Sequence, residues 1–421
     1  MSNSFVYGLR KSVLPDKSTL IIYDDRIINS LQDEYSKFLE DLESKEYKLN
    51  YFNLGEESRS ENLKLFVNSE RLYQNLIIFP SKMKTLGKEV SAAEIIEFAN
   101  EGGNIMVITS PDGLQDDVNI YLNQIGIYPS PRNYKTVDHF NFDSKLGSKT
   151  HDVLKLAKQN IKNELIVSED VNELLYSGSS ALLSNGQLLV PIVEAPSTSY
   201  TINKDGEFEA KSIWSSGTQS FFVVGLQSRN NARTVWLGSS DFLSDKFYQT
   251  NGKLINDIID WCFQAKGVIK STFVEHYHSN DKSNQEIYKI TDDVVYDIGI
   301  TEWNGEEWVP YIADDVQVEL RMLDPYYRIT LQPKSEINES QVYTTGSFKL
   351  PDQHGMFTFY TNYKRSGLSY IEDRKVVTVR HLANDEYQRS WEITNSWVYV
   401  ASNVTVVVSW FIFVILFLFQ K

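Results

Sequence analysis

The chain has 421 residues, with 41 Lys and Arg against 56 Asp and Glu, a formal net charge of −15 at pH 7. Its 42% hydrophobic and 23% charged content is that of a folded chain with two or three cores, which excludes disorder. The acidic balance, with no basic block, argues against nucleic-acid binding, and the single cysteine, Cys262, excludes an internal disulfide and a multi-cysteine zinc site.

Met1 to Asp16 is polar and lacks the apolar core of a secretory leader, so two topologies are expected to compete. Either a leader has been removed and the body is lumenal, or the body is cytosolic and tail-anchored. From Ser18 the chain alternates short apolar runs with helical patterns. Ser18–Tyr23, Leu49–Phe52, Asn75–Phe79 and Asn104–Thr109 read as strands. Leu31, Tyr35, Phe38, Leu39 and Leu42 recur at helical spacing, Leu63–Tyr73 is expected to be helical, and Ala92–Asn100 is helical and stops at Gly102-Gly103. Apolar strands separated by helices predict a parallel α/β sheet covered on both faces.

Residues 127–175 are less regular. Strand patterns return at Leu188–Val193, Phe221–Gly225 and Ala232–Gly238, and the Leu254–Phe263 helix closes this continuation of α/β structure, with Cys262 on its apolar stripe. Beyond Gly267 the pattern changes to short alternating segments as far as Arg380, with Asn304-Gly305 between two tryptophans as a hairpin signal. This predicts an antiparallel β-sandwich. The expected division is a first α/β domain over 17–130, a second α/β region over 131–267, the sandwich over 268–383, a linker over 384–396 and a transmembrane helix over 397–419. Trp397 to Phe419 holds no charged residue. About 20 apolar residues cross a bilayer core of ~30 Å.

Candidate chemistry is sparse. Ligands of parallel sheets bind at the strands' carboxyl ends, which here carry Asp24-Asp25, Pro80-Ser81 and Ser110-Pro111-Asp112. No Gly-rich phosphate loop follows a strand. His276 and His278 share one side of a strand and could begin a metal site, but no further ligands stand near them in the sequence. The pairs Asp24-Asp25 and Asp314-Asp315 suit acid–base work or a hard cation, and equally suit turns. Gly178-Ser-Ser-Ala181 lacks the second glycine of a nucleophile elbow, and Cys262 reads as inert packing. No catalytic, cofactor-binding or metal-binding residue is expected. A membrane-tethered carbohydrate-binding receptor or hydrolase using Asp24, Asp112 and Asp241 is the alternative.

Two N-x-Ser/Thr sequons occur. Asn338 lies in a polar loop and is the glycosylation candidate, whereas Asn403 falls within the span. Ser402, Thr405 and Ser409 share one face of the span and are expected to meet a partner helix.

Several strings together point to a family: Gly225-Leu-Gln-Ser-Arg-Asn-Asn-Ala-Arg233, Gly238-Ser-Ser-Asp-Phe242, Trp303-Asn-Gly-Glu-Glu-Trp-Val-Pro310, Ile312-Ala-Asp-Asp315, Asp324-Pro-Tyr-Tyr-Arg328 and Arg380-His-Leu-Ala-Asn-Asp-Glu-Tyr387. From about Ser18 to the end of the span the chain resembles the non-catalytic, single-span subunit of the eukaryotic oligosaccharyltransferase, the Wbp or 48-kDa type, in its fungal form. The resemblance implies a type I protein of the endoplasmic reticulum membrane with a lumenal body. It implies membership of the complex that moves a preassembled glycan from dolichyl diphosphate to Asn of N-x-Ser/Thr. It also implies a first domain similar to glutamine-amidotransferase-like folds without their nucleophile. The implied partners are a catalytic multi-span subunit, a ribophorin-II-type subunit and a small defender-against-death-type membrane subunit. Members of the family carry a cleavable leader and, in fungi, a di-lysine tail, and neither is present in this sequence.

Overall fold

The computed structural model describes residues 17–28, 31–55, 63–68, 70–87, 90–147, 150–204, 212–280, 286–387 and 395–420. The part of the expected linker at 388–394 lies outside them, as does Lys421.

The N-terminal body is built on a nine-stranded sheet. Ser18–Tyr23 lies parallel to both Lys48–Asn53 and Asn75–Ile78, Asn75–Ile78 is parallel to Asn104–Ile108, and Asn104–Ile108 is parallel to Arg233–Leu237. Alternate residues of these strands feed two cores. Ile21, Ile77, Met106, Ile108, Val235 and Leu237 face the helices Ser36–Ser44 and Asp245–Cys262. Leu20, Ile22, Leu76, Ile78, Ile105, Val107 and Trp236 face Ala92–Asn100 and Asp116–Ile125. Burial on both faces is why these strands are apolar throughout. Ser91 caps its helix by accepting from the Glu94 amide, and Gly126 ends Asp116–Ile125 in the left-handed conformation at φ 91°.

Two expectations change. The sheet is mixed, not wholly parallel: Phe221–Gln227 runs antiparallel to Arg233–Leu237, and Leu189–Glu194 and Ala181–Leu183 run antiparallel to Phe221–Gln227. Only Ser228 to Ala232 separates Phe221–Gln227 from Arg233–Leu237, and a parallel crossover needs a dozen or more residues. Strands from both sides of residue 130 therefore share this sheet. The Leu63–Tyr73 segment forms not a helix but the small hairpin Phe66–Val67 with Glu70–Arg71. Leu63 and Leu65 are buried while Lys64 between them is exposed, a period of two that suits extended chain.

The C-terminal half forms a six-stranded and a five-stranded sheet that share one core, including Tyr296, Ile298, Ile300, Leu320, Phe359 and Val377. Pairing is antiparallel apart from Ile287–Lys289, which lies parallel to the last strand. Asn304-Gly305 turns a hairpin that sets Trp303 opposite Trp308, with Gly305 at φ 105°. Gly355–Tyr363 and Ile371–Arg380 run its full length, so one end of the sandwich carries Gly355 and Arg380 and the other Tyr363 and Ile371.

Ser396–Phe419 is a 24-residue helix containing an 18-residue stretch of mean hydropathy 2.3, the one helix among the described residues long and apolar enough to cross a membrane. At 1.5 Å per residue it is ~36 Å long, which covers a bilayer core.

Candidate functional site

At the carboxyl ends of the parallel strands, Asp24 follows its strand directly and is fully buried. Its Oδ1 accepts from the Arg26 amide and Nε, both at 3.0 Å, and its Oδ2 from Ser81 Oγ at 2.6 Å and the Lys82 amide at 3.0 Å. Burial alone would raise its pKa, but these donors outweigh it and hold the carboxyl below its ordinary value. Asp24 is thus a brace between two strand-end loops, with both oxygens occupied. Asp112 is exposed and takes Lys204 Nζ at 3.0 and 3.2 Å. Asp241 lies within electrostatic reach of Asp112, Lys135, Lys204 and Lys246, and desolvation by its surroundings raises its pKa despite the lysines. The three aspartates of the hydrolase alternative therefore stand in three different settings.

The other candidates are also held by the fold. Cys262 is buried, and burial pushes its thiol well above the ordinary value, which disfavours the thiolate. Ser179 donates to the Gly238 carbonyl and Ser180 bonds Thr201 and Ser215, all in the interior. His276 and His278 do share a side, both against the Tyr288 ring. His276 Nδ1 bonds the Tyr288 hydroxyl at 2.7 Å, and burial with nearby Lys375 lowers its pKa. Asp315 accepts from Tyr363 Oη at 2.8 Å and Arg365 Nε at 2.6 Å, while Asp314 is exposed. Among the described residues no three His, Cys, Asp or Glu side chains are grouped to hold a metal ion. A hollow of about 330 Å³ follows the sheet edge and is walled by Tyr51, Phe52, Leu72 and Tyr73.

A buried polar assembly centred on Arg233 joins the α/β body to the sandwich, and sequence reasoning assigned it no role. Arg233 is fully buried and donates to Gln227 Oε1 at 2.8 Å, to the Trp261 and Lys266 carbonyls at 2.6 Å and to the Gly267 carbonyl at 2.5 Å. Its guanidinium also lies 4.8 Å from the Trp261 ring centroid. Burial lowers its pKa to about 9, which leaves it charged at neutral pH. The charge is met by carbonyls where Asp245–Cys262 ends, the negative end of the helix dipole. Across the junction Trp261 Nε1 donates to the Gly367 carbonyl at 2.7 Å, and Asn231 Oδ1 accepts from the Tyr370 amide at 2.8 Å. Gly225 has no room for a Cβ, which would lie 2.7 Å from the Trp261 ring. A Cβ on Gly238 would meet the Ser179 carbonyl and Tyr176 hydroxyl. The signal was present in the sequence: an Arg opening a strand of buried apolar residues, at the end of the long Gly225–Arg233 string.

Two profiles of one family match the chain in succession: OST48, N-terminal domain, over residues 11–265, and OST48 middle domain over residues 276–421. The chain belongs to the OST48 family. The dolichyl-diphosphooligosaccharide–protein glycosyltransferase subunit WBP1 of Saccharomyces cerevisiae is 43% identical over 98% of this chain and 92% of its own length. Its counterpart wbp1 of Schizosaccharomyces pombe is 32% identical over 92% of this chain and 89% of its own. The 48 kDa subunit of Caenorhabditis elegans is 29% identical over 93% of this chain and 89% of its own. A solved thua-like protein from Parabacteroides merdae shares 10% identity over 60% of this chain and 91% of that one at a TM-score of 0.35, too slight a likeness to carry an argument. From Gly225 to Phe242, the strings that carry the family resemblance consist mainly of packing and clasp residues. With its apolar C-terminal helix, this OST48-family chain fits a single-pass membrane protein.

Asn338 and Glu339 form the tip of a two-residue hairpin, at φ 45° and 63°, and Asn338 is exposed. The sequon's hydroxyl, on Ser340, is buried and accepts from Thr272 Oγ1 at 3.0 Å. In the span, Ser402 and Thr405 donate to the carbonyls of Tyr399 and Ala401, and Ser402, Thr405 and Ser409 all lie on the exposed surface of the helix.

Proposed function

We propose that this chain is a non-catalytic subunit of the oligosaccharyltransferase, acting in assembly of the complex and in support of glycan-donor binding. The observation that carries this is 43% identity to a subunit of that transferase along 98% of the chain. Asp24, Cys262, Ser179 and Ser180 are each held in interior contacts of the fold.

The proposed setting is the endoplasmic reticulum membrane, type I, with residues 17–383 in the lumen and the last helix crossing the bilayer. The proposed partners are the catalytic multi-span subunit, a ribophorin-II-type subunit and a small defender-against-death-type membrane subunit. Ser402, Thr405 and Ser409 form the proposed helix–helix contact, and Asn338, exposed on its hairpin tip, is the proposed glycan acceptor.

Affinity capture of the full chain from gently solubilised membranes should bring down a multi-span transferase, and depletion should lower N-glycosylation of many proteins together. A chain purified alone under those conditions refutes the subunit role. Protease treatment of sealed microsomes should spare the body and clip no more than the C-terminus. Digestion of the body in intact vesicles refutes the lumenal placement. Full transferase function with Asp24, Asp112 and Asp241 replaced, in a chain that still assembles, sets aside the hydrolase alternative.

A further inference from the structure

The sandwich has a polarity along its strands. At one end Gly267, Gly367 and Tyr370 are clasped to the α/β body by Arg233, Trp261 and Asn231. The strand Ile371–Arg380 leads away from that clasp, and the chain leaves for the membrane helix from its far end. The exit is pinned there: Leu382 packs on the sandwich core, Arg380 pairs with Glu386 at 2.8 Å, and Lys289 pairs with it at 2.6 Å. Nine residue steps separate Glu386 from Asn395, at which the helix is capped, and extended chain spans at most ~30 Å over that distance. A strand of ten residues is ~33 Å long, so the exit end of the sandwich, not the clasped end, is the one the tether holds near the bilayer. Trp397 and Tyr399 at the start of the helix mark the depth of the interface.

That same end has an apolar tip. Arg321 pairs with Thr358 and with Pro325, and Gly355 pairs with Val379, so the Met322-Leu323-Asp324 turn sits beside Gly355 and Met356. Met322 Sδ lies 2.9 Å from where a Gly355 Cβ would stand. Leu323 is 93% exposed, the largest value among the described large apolar residues outside the terminal helix, and Met356 is 65% exposed. Tyr326, half-exposed behind them, rests its ring against Phe357. Asp324 and Asp352 are also exposed at this end, and the basic groups Lys289 and Arg380 there are engaged with Glu386. Lys349, the strand partner of Asp293, is an exposed basic residue at the same end, while Met322, Leu323 and Met356 at the tip itself offer apolar contact.

We infer that the Leu323–Met356 tip dips into the lipid headgroup layer, so that the sandwich stands end-on as a spacer between the membrane and the α/β body. A leucine, a methionine and a flanking tyrosine are the side chains an interfacial contact takes up, and the adjoining transmembrane helix supplies the anchorage such a small tip lacks by itself. The inference rests on Ser396–Phe419 crossing a bilayer and not on which complex the chain joins.

The full chain, with its membrane partners, is reconstituted in phosphatidylcholine vesicles containing lipid with a nitroxide just below the headgroup. Single thiols are introduced by Leu323→Cys, Met356→Cys, Ile312→Cys and Val406→Cys and labelled with an environment-sensitive fluorophore. Cys262 is buried and stays unlabelled. Ile312 is 78% exposed and, near Tyr311 and Tyr363, belongs to the clasped end. The expected result is nitroxide quenching and blue-shifted emission at positions 323 and 356, none at 312, and a lipid environment at 406. Labels at 323 and 356 that are open to aqueous iodide, or shielded from iodide yet unquenched by lipid because a partner protein covers them, overturn the inference. A label at 406 outside the lipid overturns the span and the tip together.

Discussion

Replacing Arg233 with methionine keeps most of the side-chain volume and removes the charge and every donor. Four acceptors lose this donor: Gln227 Oε1 and the carbonyls of Trp261, Lys266 and Gly267, at 2.5 to 2.8 Å. The Trp261 and Gly267 carbonyls keep the Gln264 and Ser369 amides, so the deficit falls mainly on Gln227 Oε1 and the Lys266 carbonyl. An unsatisfied buried acceptor costs about 1–3 kcal/mol, and removal of the buried charge's own desolvation offsets part of that. The net loss expected is about 3–5 kcal/mol, the range seen when one member of a buried charged network is removed. At roughly 2–4 °C per kcal/mol, the transition of the α/β body should fall by about 6–20 °C. The full chain in detergent is heated while tryptophan emission is followed, since Trp261 lies in the clasp. Limited trypsin digestion gives the local readout: Lys266 sits in the junction and its bond to Gly267 should become cleavable. Arg233→Lys should fall between the two, because one ammonium cannot reach all four acceptors from a planar fork. A transition for Arg233→Met within about 2 °C of the parent, with Lys266 still protected, refutes the clasp as a source of stability.

Asp24→Asn should lower stability by about 1–3 kcal/mol at neutral pH, since it keeps the shape and loses the charge. The sign with pH is fixed by its depressed folded pKa: the contribution is present above the unfolded value near 3.8 and is lost as pH falls through the folded one. Acid titration of both proteins should therefore show their stabilities converging at low pH, and a constant gap contradicts the assignment. Gly238→Ala should destabilise by about 1–3 kcal/mol, because the new methyl meets the Ser179 carbonyl and Tyr176 hydroxyl, which chemical denaturation will show. Changing Ser402, Thr405 and Ser409 together to Leu should leave membrane insertion intact and weaken co-purification of partner subunits; unaltered recovery returns the helix to a plain anchor. Asn338→Gln should abolish any glycosidase-sensitive mobility shift, and a persisting shift places the glycan elsewhere.

Much of the fold was legible locally. Asn75–Ile78 and Asn104–Ile108 announce themselves because strands buried on both faces must be apolar throughout. The Ala92–Asn100 helix has its Gly102-Gly103 stop in the sequence, and Asn304-Gly305 marks its hairpin. The Phe66–Arg71 hairpin was not legible as such, because apolar residues over so short a segment fit either period until one knows which are covered. The candidate site divided in the same way. That Cys262 is buried followed from its helix face, whereas the role of Asp24 depended on Ser81 and Lys82 from another strand end.

The sequence by itself determined that this chain has an α/β body, a β-rich second half and one apolar helix at its end, because periodicity, turn residues and hydropathy are local properties. It also carried the family, since the Gly225–Phe242 string is long and unusual. Only the tertiary structure decided that the sheet is mixed, that Arg233 clasps the two halves together, and that Leu323 sits at the end of the sandwich from which the chain departs for the membrane. These depend on which residues meet across dozens to hundreds of positions, and no local pattern records that.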